Sequence, residues 1–404
     1  GGEEEGVNKG EEAWTEALGA ARRAALLVLL RLLPDRACGE RVPPVLARLL
    51  EDSEELQRAA ADADGVRQLA GLLLATSASN GGAATPVTTS NGSTSHATDS
   101  KAGAAGSSSG ASAAKEGVLR ALGALCLTRD EGRKQLIEAK VLKHVVAALR
   151  DPQPGVRAAG ALCVMALSRS VRNLRSSLLE PEVAESLCAL LGDAHQDVQV
   201  HAAAALCNLV LEFSAVKDAV VRLGGVPKLA ALAGSMCGAL RLHAVWALRN
   251  LAYKADSGVR RSLMQALPWS SLRSLLADPE AAVQEQAACT LRNLCMDAPE
   301  HIGAAMEWGG GAAEVMGALE EKLDPSRPVP MAVRVHALYT CVNILTGSEA
   351  HKESVMSSNL PHLLLHHLRA AGSPAEVRLP AVWCVINLTW PDGGATGAAG
   401  GASG

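Results

Sequence analysis

The chain has 404 residues, enough for two or three globular domains, yet only 2% are aromatic, with one Phe and two Tyr. Alanine and leucine carry most of the 48% hydrophobic content, a composition that favours helix over strand and predicts an all-α protein. A formal charge of -4 and a pI near 6.3 give no electrostatic footprint for nucleic acid or an anionic membrane, and neither is an expected partner.

Taken in chain order, residues 1–15 read as an acidic, disordered start, and "AALLVLLRLL" (Ala24 to Leu33) as an apolar helix, broken by Arg31 and too short to span a bilayer. "PPVLARLL" ends one helical unit, and "EELQRAAADADGVRQLAGLLLA" (Glu54 to Ala75) supplies the first two helices of the next, so residues 16–76 form degenerate N-terminal repeats. Residues 77–114 are rich in Ser, Gly and Ala, with Val87 the only large aliphatic side chain. Such a stretch buries too little apolar surface to offset ordering, and it reads as a disordered insertion.

From residue 115 to 391 the chain repeats itself. The segments "VQVHAAAALCNL" from Val198, "LRLHAVWALRNL" from Leu240, "VQEQAACTLRNL" from Val283, "VRVHALYTCVNI" from Val333 and "VRLPAVWCVINL" from Val377 each place an asparagine ten residues after the opening aliphatic. These are Asn208, Asn250, Asn293, Asn343 and Asn387. Two weaker copies, beginning at Glu116 and Val156, carry Cys126 and Ala166 in the asparagine position. Between copies lie a short helix, a turn and a leucine-rich helix. In "AVKDAVVRLGGVPKLAALAGS" the pair Gly224 and Gly225 closes the first helix and Pro227 opens the second. Three helices per roughly 42 residues is the armadillo arrangement, whose units bury their apolar faces only by stacking; the expected fold is a right-handed armadillo-repeat solenoid. Residues 392–404 form a Gly/Ala tail expected to be disordered, and no capping helix follows Trp390. Ten cysteines, never as C-x-x-C and mostly inside apolar runs, suit a reduced cytoplasmic or nuclear setting.

A helical wheel over "HAVWALRNLAY" puts Ala244, Val245, Leu248, Leu251 and Ala252 on one arc, and His243, Trp246, Asn250 and Tyr253 on another. In a stack of three-helix units the third helices line the concave side, so the second arc is expected to face a groove. Tyr339 with Asn343, and Trp383 with Asn387, keep the aromatic-x-x-x-Asn spacing. Gln286 takes the place seven residues before Asn293 that His201, His243 and His336 take before theirs. An asparagine amide offers one acceptor and two donors, enough to hold a passing peptide backbone, and indoles supply flat apolar walls. Equally, each Asn could bond the backbone of an adjacent repeat. Arg249 and Arg292 lie just off the stripe and could hold a carboxylate.

No catalytic motif is present: there is no G-x-S-x-G, no phosphate loop, no H-E-x-x-H, and no nucleophile beside an evident base. His362 and His366 have a zinc-compatible spacing but lack a third ligand, so no metal and no cofactor are expected.

The run from "LHAVWALRNLAYKA" through "LRNL" and "YTCVNILTG" to "VWCVINLTWPD" resembles the armadillo repeat-containing protein 8 family, most strongly from Gln196 to Pro391. That family supplies the armadillo subunit of the CTLH ubiquitin ligase, called GID in yeast. The resemblance implies a non-catalytic scaffold joining ligase core subunits to a substrate receptor, for proteasomal degradation of targets in cytoplasm and nucleus. The receptor's extended C-terminal tail would lie in the groove against Trp246, Tyr253, Asn250 and Gln286. Alternatives are an importin-α-like adaptor that grips basic signal peptides through W-x-x-x-N ladders, and a catenin-like signalling scaffold. Only Trp246 and Trp383 complete the W-x-x-x-N pair here, and no acidic groove residues are evident.

Overall fold

The computed structural model describes residues 2–35, 38–80, 101–169, 181–211 and 215–389. The described residues form helices and no strand, in two compact units, Gly1–Leu209 and Val210–Gly404. The boundary falls between repeats, just after one of the asparagine-bearing helices.

The second unit is four successive helix triplets: Ala215–Arg222, Gly225–Leu232 and Gly238–Ala252; Ser257–Ala266, Trp269–Leu276 and Ala281–Leu294; Pro299–Trp308, Ala312–Leu323 and Met331–Leu345; Glu349–Met356, Leu360–Arg369 and Ala375–Thr389. Each third helix stacks on the third helix of the next triplet, and each second helix packs beneath its own third helix. The opening aliphatics Leu240, Val283, Val333 and Val377 are all buried, which explains their recurrence. Local chemistry sets the turns. Gly224 adopts a left-handed conformation (φ 69°) between the first two helices, and the Asp256 carboxylate accepts the Val259 N–H at 2.8 Å to start the next triplet.

In the first unit, Glu54–Asp62, Gly65–Asn80 and Lys101–Leu127 make one triplet, and Asp130–Glu138, Leu142–Ala148 and Pro154–Ser168 the next. Pro181–Leu190 and Gln196–Leu209 supply two helices of a third, and Gly2–Leu32 and Val42–Leu50 precede them all. Two sequence expectations are corrected here. Residues 2–15 lie in the helix Gly2–Leu32 where the sequence suggested a disordered start, because the leucine-rich half nucleates a helix that then extends at little cost. Within the expected 77–114 insertion, residues 77–80 and 101–114 are helical, since alanine extends a helix anchored by the buried Val118–Leu125 segment. Residues 81–100 of that insertion, and the tail 392–404, lie outside the described residues.

One polar device recurs at the foot of the third helices. Arg157 donates from Nε and Nη2 to both oxygens of Asp193 (2.7 and 3.1 Å), while its Nη1 donates to the Asp151 and Pro152 carbonyls. Arg241 repeats the arrangement in the second unit, on Asp278 (2.6 and 3.0 Å) and the Ser235 and Met236 carbonyls. Each fork therefore joins the loop of its own triplet to the loop of the next, with the carboxylate almost fully covered. The Arg157 fork holds the Asp193 carboxyl below the usual carboxylate range.

Candidate functional site

The arc Ala244, Val245, Leu248, Leu251 and Ala252 is fully buried, as the wheel requires. Trp246, on the other arc, is 37% exposed, and Trp383 in the last triplet is 42% exposed. Tyr253, Tyr339, His243, Arg249, Arg292, Asn343 and Asn387 are half-buried in the second unit, as is Asn208 in the first. Asn250 (7% exposed), Gln286 and Asn293 are buried, contrary to the open amide expected at 250. For Gln286 and Asn293 the closure comes from helix-on-helix stacking, because both side chains face the third helix of the preceding triplet. Tyr253 lies past the end of its helix. The helix ends at Ala252, Tyr253 is extended (φ -66°, ψ 121°), and Lys217 caps its carbonyl at 2.9 Å, so the wheel does not set the direction of its phenol.

The asparagines form a ladder with one rule. Nδ2 of Asn293 donates to the Arg249 carbonyl (3.0 Å), Nδ2 of Asn343 to the Arg292 carbonyl (3.1 Å), and Nδ2 of Asn387 to the Val342 carbonyl (3.2 Å). Each amide thus grips the backbone one residue before the asparagine of the preceding triplet. In the first unit, where Ala166 occupies that position, a hydroxyl mediates. Asn208 donates to Ser168 Oγ (3.0 Å), which donates to the Met165 carbonyl (2.7 Å). Ser168 carries no sequence signal of this role, since it stands outside the repeated dodecamer. The ladder uses one donor per amide. In the half-buried Asn343 and Asn387 a second N–H and the carbonyl oxygen extend the group's capacity.

A second rule governs the arginines. Arg249 Nη1 donates to Gln286 Oε1 (2.8 Å), and Arg292 Nη1 to His336 Nδ1 (3.4 Å). Both arginines sit one residue before an asparagine, and both reach the residue seven before the next one. The Arg292 guanidinium also lies 5.0 Å over the Tyr339 ring. Burial, then the charges of Arg292 and Arg249, push the His336 pKa down to about 4, so the imidazole is neutral and free to accept. Neither arginine makes an ion pair with a carboxylate of the described residues. An amide, a neutral imidazole and a phenol ring hold the two cations without neutralising their charge. Burial lowers the His243 pKa too.

Other candidates separate from this surface. His362 and His366 are exposed, His367 is buried on the Leu323 carbonyl (2.7 Å), and no group of three metal-ligating side chains occurs among the described residues. No described helix is long and apolar enough to cross a membrane. Burial drives the Cys126, Cys295 and Cys341 thiols up to about 12, leaving them protonated packing groups.

The armadillo/beta-catenin-like repeat profile matches residues 214–253, the triplet that carries Trp246. Armadillo repeat-containing protein 8 of Xenopus laevis is 30% identical over 262 residues, 65% of this chain and 35% of that protein. The chain has an armadillo-repeat fold and is similar to armadillo repeat-containing protein 8. GID complex subunit 5 of Schizosaccharomyces pombe is 41% identical over 61 residues, 15% of this chain and 8% of that protein. The chain therefore spans about a third or less of the length of these curated relatives. Among solved structures, an engineered protein matches with a TM-score of 0.71 at 22% identity, covering 90% of this chain and 78% of its own. A designed armadillo repeat protein in complex with the peptide (KR)4 matches with a TM-score of 0.55 at 21% identity, covering 61% of this chain and 99% of its own. At these identities both likenesses concern the fold.

Proposed function

We propose that the chain is a non-catalytic armadillo scaffold of a CTLH/GID-type ubiquitin ligase, acting in cytoplasm and nucleus. Its third-helix surface in the second unit receives the extended C-terminal tail of a substrate receptor. The observation that carries this reading is the pairing of an open indole, Trp246, with Arg249 and Arg292, two cations that neutral acceptors hold in place. An indole buries apolar side chains of a tail, and a guanidinium recognises a carboxylate. The relatives' names support the complex: one is armadillo repeat-containing protein 8, another a GID complex subunit. Asn343 and Asn387 contribute their remaining amide groups to the tail backbone. Buried Asn250, Gln286 and Asn293 contribute by holding the surface in register.

The same cations argue against an importin-α-like adaptor. A surface that grips lysine-rich signals needs acidic or neutral rungs, and two arginines repel such a peptide. The test is affinity purification of the tagged full chain from cells of its source, wild type against Trp246→Ala with Arg292→Glu, followed by mass spectrometry. Ligase core subunits should co-purify with both proteins and the receptor subunit with wild type alone. Recovery of nuclear-import receptors in place of ligase subunits would overturn the assignment.

A further inference from the structure

Arg157 and Arg241 on one hand, and Arg249 and Arg292 on the other, use their guanidinium groups differently. The first pair turn the parallel N–H groups of Nε and Nη2 onto both oxygens of Asp193 and of Asp278, and give Nη1 to backbone carbonyls. The second pair give Nη1 to Gln286 and to His336, and their Nε and Nη2 donate to no oxygen of the described residues. Glu285 shares a helix with Arg292 and pairs with neither arginine. The edge that grips a carboxylate in Arg157 and Arg241 is thus without a carboxylate in Arg249 and Arg292 among the described residues. Both heads are also fixed. Each is half-buried, the Cys289 thiol lies against Arg249, and the Tyr339 ring sits 5.0 Å from the Arg292 guanidinium. A fork held in this way loses little freedom when an anion meets it.

The spacing of the two forks says what kind of tail they fit. Arg249 and Arg292 hold the same position on consecutive, stacked third helices, each one residue before an asparagine. Packed helices lie about 8–10 Å apart. An extended chain returns to the same face every second residue, about 6.6 Å further on, and an Asp or Glu side chain spans the remainder. We infer that this surface reads two negative charges on its tail. The terminal carboxylate meets one arginine, and the carboxylate of an Asp or Glu two residues before the terminal residue meets the other. The residue between them points to the opposite face, so an acid there gains nothing. The inference rests on the tail-binding reading and adds the class of tail, one with an acid third from its free C-terminus.

The test is selection from a library of random decapeptides with free C-termini on the immobilised full chain, wild type beside variants whose melting temperatures match it. Wild type should enrich Asp and Glu about tenfold at the third position from the end, and less than about threefold at the second. Of the single variants Arg249→Glu and Arg292→Glu, one should move the preference at the third position to Lys and Arg. The other should retain an amidated library as well as the free one, because its terminal-carboxylate site is gone. Peptides retained by wild type and lost by Trp246→Ala, yet without an acid preference at the third position, would overturn the inference and leave the tail-binding reading standing. Acids enriched equally at every position would overturn it as attraction by net charge alone. If wild type retained no peptide, both readings would fall.

Discussion

Trp246 and Asn250 are one helical turn apart and have opposite fates: the indole is open and the amide is closed. The difference follows from stacking. The asparagine position points at the third helix of the preceding triplet, whose backbone it grips, so the repeated amides mainly define register while Trp246 and Trp383 meet the outside. His336 shows how the arginines complete the surface. Its pKa of about 4 lies below the ordinary histidine value because of burial and of Arg292 and Arg249 nearby. As pH falls through about 6.5 towards 4, the unfolded chain takes up this proton before the folded one does. Stability present at neutral pH is therefore lost across that window. His336→Gln removes this contribution. Between about pH 7 and pH 5 its melting temperature should drop less than that of wild type, by about 2 °C. Thermal melts followed by circular dichroism check this, and parallel pH profiles would show that His336 does not carry the proton linkage.

At the scale of elements, two glycines on adjacent helices of one triplet give opposite expectations. Gly117 lies where Lys101–Leu127 crosses Val42–Leu50, and a methyl there would come within 2.6 Å of the Pro43 carbonyl carbon and 2.8 Å of the Pro44 Cα. Backbone cannot move aside as a side chain can. Gly117→Ala should destabilise by roughly 2 kcal/mol despite alanine's better helix propensity of about 1 kcal/mol. Gly71, in the helix Gly65–Asn80, has open space at the same position, and Gly71→Ala should stabilise by roughly 0.5–1 kcal/mol. Urea unfolding of the two variants measures both, and a shared sign would contradict the close crossing. The arginine forks belong to this scale as well. Arg157 on Asp193 and Arg241 on Asp278 join successive loops in each unit, so consecutive triplets are fastened by a charge pair at one end of the third helix and by an amide along its face.

For the molecule as a whole, the period of the asparagines made the repeat legible, because an opening aliphatic that is buried and an asparagine recur in each triplet of the second unit. The open indoles and the two arginines were legible for a similar reason: they depart from what packing alone requires. What the pattern left out is set by partners distant in sequence. Lys217 reaches the Tyr253 carbonyl across 36 residues, Ser168 relays Asn208 to the Met165 carbonyl from outside the repeated dodecamer, and Asn250 is buried although the wheel sets it on the open arc. The length of Lys101–Leu127 was missed because composition alone does not register that a buried leucine segment can carry an alanine-rich stretch into helix. The central claim concerns a peptide on the third-helix surface of the second unit, and it is measured most directly by titrating the co-purified receptor's C-terminal peptide into the full chain by calorimetry, with wild type and Trp246→Ala compared at equal melting temperature. The account predicts a loss of about tenfold or more in affinity for the variant, and a similar loss when the peptide's terminal carboxylate is amidated. Equal affinities across all three measurements would contradict it.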